Sequence, residues 1–406
     1  MHAPGQTIGF LLNPVAGVGG PAGLVGSDGA EVQREAAARG AVPRAAARAA
    51  AALAVIARSH PQLEVITAAG ALGEDAVRAA GLTPRVVYAA HGAGRGTTGD
   101  DTRRATVALG AAGASLILFT GGDGTARDVA AGLAPGVAVL GVPAGVKMYS
   151  ACFAVSPTAA GALAAEWLAR GPLPVGPSEV LDLDESLLRA GRPDPRLFAL
   201  VPVPSAPGRT QARKAATPAG EAEAVRRAAT GLVGQLRPGV RYLLGPGGTL
   251  AEVARVLGIP ATPLGVDVVE DGRLLVRDAS ESQVLAAIDG HDASAVVTVI
   301  GGQGFLLGRG NQQLSSRVLD ALGADPLLVV ATEQKLIELG GRPLLVDTGD
   351  AAVDARLAGR IRVITGRRSS SIYPVEAAAA AAAPPIVDPS SLVTSHPTTE
   401  GASPCV

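Results

Sequence analysis

Through the first 170 residues, short apolar runs of strand length alternate with longer segments of helical period. Runs at 7–12, 63–67, 85–89, 116–119 and 137–141 read as strands. Between them lie an Ala-rich helical region from about 31 to 59, a helix over 74–80 and another starting near 100. One more helix fills the second half of 146–171. Strand and helix taking turns in this way predict a parallel sheet covered by helices on both faces, a doubly wound α/β architecture. Ligands bind such sheets at the carboxyl ends of the strands.

The pattern changes near residue 171. Two stretches dense in Pro and Gly, 171–185 and 192–208, read as a boundary and linker. A second α/β portion follows, with strands expected at 241–244, 262–269, 273–276, 295–300, 326–331, 343–347 and 360–365. From about 376 an Ala run gives way to Pro, Ser and Thr, a composition that cannot bury a core and reads as a disordered tail. The expected organisation is therefore a first domain over 1–170, a second portion over 171–375, and the tail.

Composition narrows this picture. At 406 residues the chain is long enough for two domains, and its 48% hydrophobic content includes only 2% aromatics, so the core must pack through small aliphatic side chains. With 35 basic against 36 acidic residues there is no electrostatic footprint for nucleic acid or an anionic membrane surface. Val129 to Val146 is free of charge but holds six Gly or Pro residues, which argues against a membrane helix. The two cysteines, Cys152 and Cys405, are far apart and suggest neither a disulfide framework nor a metal cluster. No export signal opens the chain, and a reducing cytoplasm is the expected compartment.

The chemistry concentrates in LILFTGGDGTARD, 116–128. A strand covered on both faces runs into a turn where Gly121, Gly122 and Gly124 allow close backbone approach, and Thr125 and the following helix present free N–H groups to an anion. Asp123 is the one acid in that turn. A related run, GPGGTLAEVARVL at 245–257, lies over GGDGTARDVAAGL at 121–133, with Gly247 where Asp123 stands. Gly247, Gly248 and Thr249 can therefore cradle phosphate through backbone N–H groups but supply no base. No zinc spacing, Walker A lysine or Ser nucleophile elbow is present, and no metal ligands are assigned.

With these motifs placed, the chain resembles the ATP-NAD kinase-like proteins, in particular the branch of the acetoin-catabolism protein X family. The markers are IGFLLNPVAGVGG (8–20), SDG (27–29), FTGGDGT (119–125), VPAGVKMYSACFAVSP (142–157), YLLGPGGTLAEV (242–253) and IGGQGFLLGRGNQQLS (300–315). The resemblance implies a first domain of NAD kinase/diacylglycerol kinase type and transfer of the γ-phosphoryl group of ATP, as its Mg²⁺ complex, to a ribose hydroxyl of NAD. It also implies small-molecule nucleotides as partners and a homo-oligomer. The chain departs from ordinary members in lacking any Asn-Glu pair, which leaves the 2′ and 3′ hydroxyls both open. A dinucleotide-binding accessory protein of a catabolic operon is the alternative. A lipid kinase fits less well with this near-neutral, aromatic-poor composition.

By the same resemblance, Asp123 would orient the attacking hydroxyl and take its proton. Asn13, after the first strand, either hydrogen-bonds nucleotide or caps its own loop. Asp28 either meets ribose or a metal, or forms a turn. Lys147 stands out because only three lysines occur in the chain, and it either pairs with phosphate or is a solvated loop cation. Arg309 and Asn311, in a third glycine-rich loop, either grip the donor triphosphate or sit at the surface. Arg127 and Asp128 are expected to pair locally, and His91 reads as a loop residue.

Overall fold

A computed structural model of the protein describes residues 7–20, 22, 24, 30–41, 43–90, 97–145, 148–183, 195–204, 222–262, 265–300 and 303–381. Five strands, β1 (Ile8–Leu12), β2 (Glu64–Ala68), β3 (Thr83–Tyr88), β4 (Leu116–Gly121) and β5 (Ala138–Pro143), pair in parallel in the order β3-β2-β1-β4-β5. The chain leaves β1 towards β2 on one side and returns to β4 on the other. This reversal opens a crevice between the carboxyl ends of β1 and β4, where doubly wound folds place their ligands.

Helices Ala45–Ser59 and Pro157–Arg170 pack as one pair, and Gly99–Ala111 and Asp123–Gly132 as another. In the first pair Gly161 lies directly against the Ala52 carbonyl, so the two backbones touch where larger side chains would hold them apart. That contact shows how an aromatic-poor chain still makes a dense core. The helix expected over 31–59 is two, Ala30–Ala38 and Ala45–Ser59, interrupted where Gly40 adopts φ +74° and Pro43 follows. Helix Pro157–Arg170 starts cleanly, with the Ser156 hydroxyl accepting from the Ala159 N–H and Pro157 as its first residue.

The region read as a linker is instead an antiparallel ribbon of β6 (Val175–Leu183) and β7 (Pro195–Pro204). It belongs with the first sheet. Val180, Val201 and Val203 are buried in that core, and Ala151 N–H donates to the Glu179 carbonyl at 2.9 Å. The ribbon thus packs on the first sheet, although its composition suggested a linker. A ribbon of two strands has unpaired edges, which tolerate the prolines that suggested a linker.

The second sheet comprises β8 (Arg241–Leu244), β9 (Asp267–Glu270), β10 (Arg273–Val276), β11 (Ala293–Thr298), β12 (Leu327–Val330), β13 (Leu344–Val346), β14 (Gly359–Ile364) and β15 (Ser370–Ala377), in the order β10-β9-β8-β11-β12-β14-β15-β13. Its centre, β8, β11, β12 and β14, is parallel. The strand expected at 262–269 shrinks to β9 because the buried Asp267 holds the preceding segment in a loop. Its carboxylate accepts from Thr262 N–H and hydroxyl and from Asp278 N–H. Among the described residues no helix is long and apolar enough to cross a membrane.

β15 was not expected, and the described chain continues past the boundary drawn at 376. It pairs with β14 on one side and β13 on the other, then leads into a short helix, Ala378–Ala381, whose Ala378 is buried in the first domain's core. The remainder of the expected tail lies outside the described residues. Ending the chain at Ala381 should keep every described element and leave the melting midpoint within about 2 °C, whereas ending it at Ser369 removes the strand through which β13 joins the sheet. The shorter protein is expected to be unfolded by circular dichroism, and a native-like melt from it would refute the role given to β15.

Candidate functional site

Asn13 directly follows β1, and its N–H donates to the Thr120 carbonyl at 3.0 Å. Its side chain caps its own loop, with Oδ1 accepting from Val15 N–H at 3.2 Å, and also reaches across to β4's loop, where Nδ2 donates to Thr125 Oγ1 at 3.0 Å. The turns after β1 and β4 are thereby tied together at the crevice. Thr120 Oγ1, at the end of β4, is buried without a hydrogen-bond partner among the described residues.

Asp123 is the first residue of helix Asp123–Gly132, with Gly122 as its cap and Gly124 the next residue in. Gly122 meets Gly145 backbone to backbone, and a Cβ on Gly145 would stand 2.6 Å from Gly122 Cα. Glycine at both positions lets the segment after β5 lie across the turn. Ala144 and Gly145 N–H groups donate to the Gly121 carbonyl at 2.9 and 3.1 Å. The same segment then brings Tyr149 N–H to Asp123 Oδ2 at 2.7 Å and Ser150 N–H to Oδ1 at 3.0 Å. Ser150 is fixed in turn, its hydroxyl accepting from Leu181 N–H of the ribbon at 3.0 Å.

Burial pushes the Asp123 carboxyl up from 3.8 to about 6, against the opposing pull of the Ser150 side chain and the Tyr149 and Ser150 N–H groups. The residue retains partial exposure, so the rise reflects the protein wall around the carboxylate rather than complete enclosure. At neutral pH the group is ionised, yet it titrates close enough to neutrality to exchange a proton. Nearby Cys152 is fully buried, and burial raises its thiol well above the usual range, which leaves it inert as a nucleophile.

A third loop closes the site from the second domain. Gln303 Nε2 donates to the Met148 carbonyl at 3.3 Å and Gln312 Nε2 to the Gly145 carbonyl at 3.2 Å, while Gly20 faces the Gln312 side chain. Glycine-rich segments from 13–20, 121–125 and 303–313 thus converge on the 144–150 segment. The anchoring residues Tyr149, Ser150, Gln303 and Gln312 were not singled out from the sequence, although all four lie inside runs that carried the resemblance.

Arg309 and Asn311 are turned inward. The Arg309 guanidinium donates to Asp347 Oδ2 at 2.9 Å and to the Val155 carbonyl at 2.9 Å, and lies 4.3 Å from the Phe305 ring centroid. Arg48, from helix Ala45–Ser59, reaches the same Asp347 oxygen at 2.6 Å. Burial by itself would raise the Asp347 carboxyl, but the two arginines outweigh it and hold it below the usual carboxylate range. Asn311 shapes its own loop, accepting from Gly308 N–H and donating to the Leu306 carbonyl. Arg309 therefore builds the seam between the domains while Asn311 holds its own loop, duties the sequence did not reveal, for Arg309 because Asp347 lies 38 residues away. Arg127 and Asp128 stand 3.7 Å apart on their helix, as expected.

Gly247, Gly248 and Thr249 lie on the other sheet, after β8, and open helix Gly248–Leu257. Asp28, Lys147 and His91 lie outside the described residues. Among the described residues no group of three His, Cys, Asp or Glu side chains converges on a metal position. Mg²⁺ that arrives held by substrate phosphates needs no such cluster, because this ion keeps several waters and commonly takes only one or two protein carboxylates.

The arrangement is a half-buried carboxylate at a sheet's reversal point, set at a helix amino terminus whose N–H groups favour anions. Compared with models of known families, residues 8–171 match the ATP-NAD kinase N-terminal domain and residues 237–375 match the ATP-NAD kinase C-terminal domain. No curated protein and no solved structure matches the chain significantly.

Proposed function

Because the chain belongs to the ATP-NAD kinase family, we propose that it transfers the γ-phosphoryl group of Mg·ATP to a ribose hydroxyl of NAD, with Asp123 facing that hydroxyl. The observation that carries the reading is the Asp123 carboxylate, ionised at neutral pH with its pKa raised to about 6 and fixed by two backbone N–H groups at the β1–β4 crevice. Phosphoryl transfer asks the protein mainly for positioning and charge stabilisation, with one group to orient the nucleophile and accept its proton. The carboxylate serves as that group. Gly121 and Gly122 lack the Cβ atoms that would meet Thr125 and Gly145, so the turn closes tightly, and the N–H groups of Asp123, Gly124 and Thr125, ahead of the first helical hydrogen bond at Ala126, favour negative charge. Asn13 holds the Thr125 hydroxyl in place rather than reading the ligand alone. Mg²⁺ brought in with the donor would supply charge neutralisation there.

The test is incubation with Mg·ATP and NAD, separation of the products, and assignment of the phosphate by NMR. A phosphorylated dinucleotide is expected, and the spectrum gives the 2′ or 3′ position. Its absence from folded protein that still binds NAD by calorimetry would favour the accessory role. The acid limb of turnover should follow Asp123: activity requires the ionised carboxylate and falls as pH drops below about 6. A limb centred near 4 would show that another group takes the proton.

A further inference from the structure

The two glycine turns of this chain are built alike but equipped differently. In the first, Thr125 Oγ1 accepts from the neutral amide of Asn13. In the second, Thr249 Oγ1 accepts from the Lys335 ammonium at 3.0 Å, brought over from the segment after β12. Gly247 caps helix Gly248–Leu257 at φ +122°, a conformation that requires glycine and turns the first N–H groups of a ten-residue helix outward from the end of β8. The sheet reverses here too. From β8 the chain goes to β9 on one side and later enters β11 on the other.

Thr298 supplies the independent sign of a ligand. It is the last residue of β11, next to β8, and its Cγ2 lies 3.3 Å from the position a Cβ would take on Gly247, so its methyl borders the turn. It is 8% exposed, and its hydroxyl has no hydrogen-bond partner among the described residues. A buried hydroxyl left unmatched costs about 1–3 kcal/mol, which a ligand oxygen would offset.

We propose that the 245–249 turn, Thr298 and Lys335 form a second phosphate cradle, which takes the pyrophosphate-bearing part of a nucleotide without performing chemistry on it. Helix N–H groups, one ammonium and one hydroxyl make a donor set suited to phosphate oxygens, and the turn carries no carboxylate to repel them. Thr298 lies five residues before Gln303, which contacts the 144–150 segment, so the two are at most about 18 Å apart along extended chain. The phosphates concerned are those of the donor or those of the dinucleotide.

Binding to the full chain distinguishes these sources, measured by calorimetry with pyrophosphate, ADP and NAD separately, so that no transfer step enters and the result stands apart from whether NAD is phosphorylated. Lys335→Gln is expected to weaken pyrophosphate binding by about 10- to 100-fold, the worth of a charge-assisted hydrogen bond. The same loss for ADP alone assigns the cradle to the donor, and for NAD alone to the dinucleotide. Thr298→Val is expected to melt no lower than the natural protein without ligand while gaining less from pyrophosphate. Natural-protein affinity for pyrophosphate in both folded variants, or no pyrophosphate binding by the natural protein at millimolar concentration, overturns the proposal.

Discussion

Asp123→Asn is expected to lower turnover by about 10²-fold or more in protein that remains folded, within the usual range for removing a general base. The substitution keeps size but exchanges one acceptor for an N–H donor, and both carboxylate oxygens already accept backbone N–H groups, from Tyr149 and Ser150. One of those N–H groups would then face a donor. Against that loss, the variant no longer holds an ionised carboxylate in a site that disfavours it, a cost the natural protein carries in full above pH 6 and sheds on acidification towards the ordinary value of 3.8. The two effects oppose each other, so circular dichroism should show native structure and the kinetic defect can be read directly. NAD affinity should change much less than turnover. Near-normal turnover from folded Asp123→Asn would reduce the carboxylate to an anchor for the 149–150 segment.

The second large effect is on stability. Asp347→Ala leaves Arg48 and Arg309 buried around a missing counter-charge, and breaking a buried pair in this way typically costs about 3–5 kcal/mol. Because the carboxylate joins the two domains, denaturation should also separate into two transitions. Replacing all three charged residues by apolar ones of similar volume should restore much of the loss, since the desolvation penalty disappears with the charges. The sign with pH is fixed by the lowered pKa: Asp347's contribution is present above the ordinary carboxylate range and is lost as pH falls through its depressed folded value. A single transition within about 1 kcal/mol of the natural protein for Asp347→Ala would remove the clamp from the account.

What could be read in the sequence was local. The apolar run of β4 and the glycines around Asp123 announce a strand, a turn and a helix within a dozen residues, and the echo at 245–249 announces the same sequence of elements. What escaped depends on partners distant in the chain. Nothing near Asp123 signals that Tyr149 and Ser150 cap it, and nothing near Arg309 signals that Arg48 shares its carboxylate. The ribbon of β6 and β7 was hidden by Pro177, Pro202 and Pro204, residues that an edge position accepts. β15 was hidden because its serines and alternating exposure resemble the polar segment that follows. The helical echo also conceals a difference: the first helix starts at Asp123, whereas the second starts one aligned position later, at Gly248.

The place of β15 in the sheet bears on how the protein is made. The first sheet is complete once residue 143 has emerged, so it can begin to fold while the rest is being synthesised, at roughly 5–20 residues per second. The second cannot close in the same order. β13 leaves the ribosome before β14 and β15, yet reaches the sheet only through β15. Until residues 370–377 are released, β13 is held only by the single bridge between Leu345 and Phe305, and Asp347, one residue beyond it, lacks the strand that secures its place to meet Arg48. The nascent chain therefore passes through an interval with a weakly held strand and with the contact between Asp347 and Arg48 not yet secured. In that interval, holding by a chaperone should matter more than at any earlier stage.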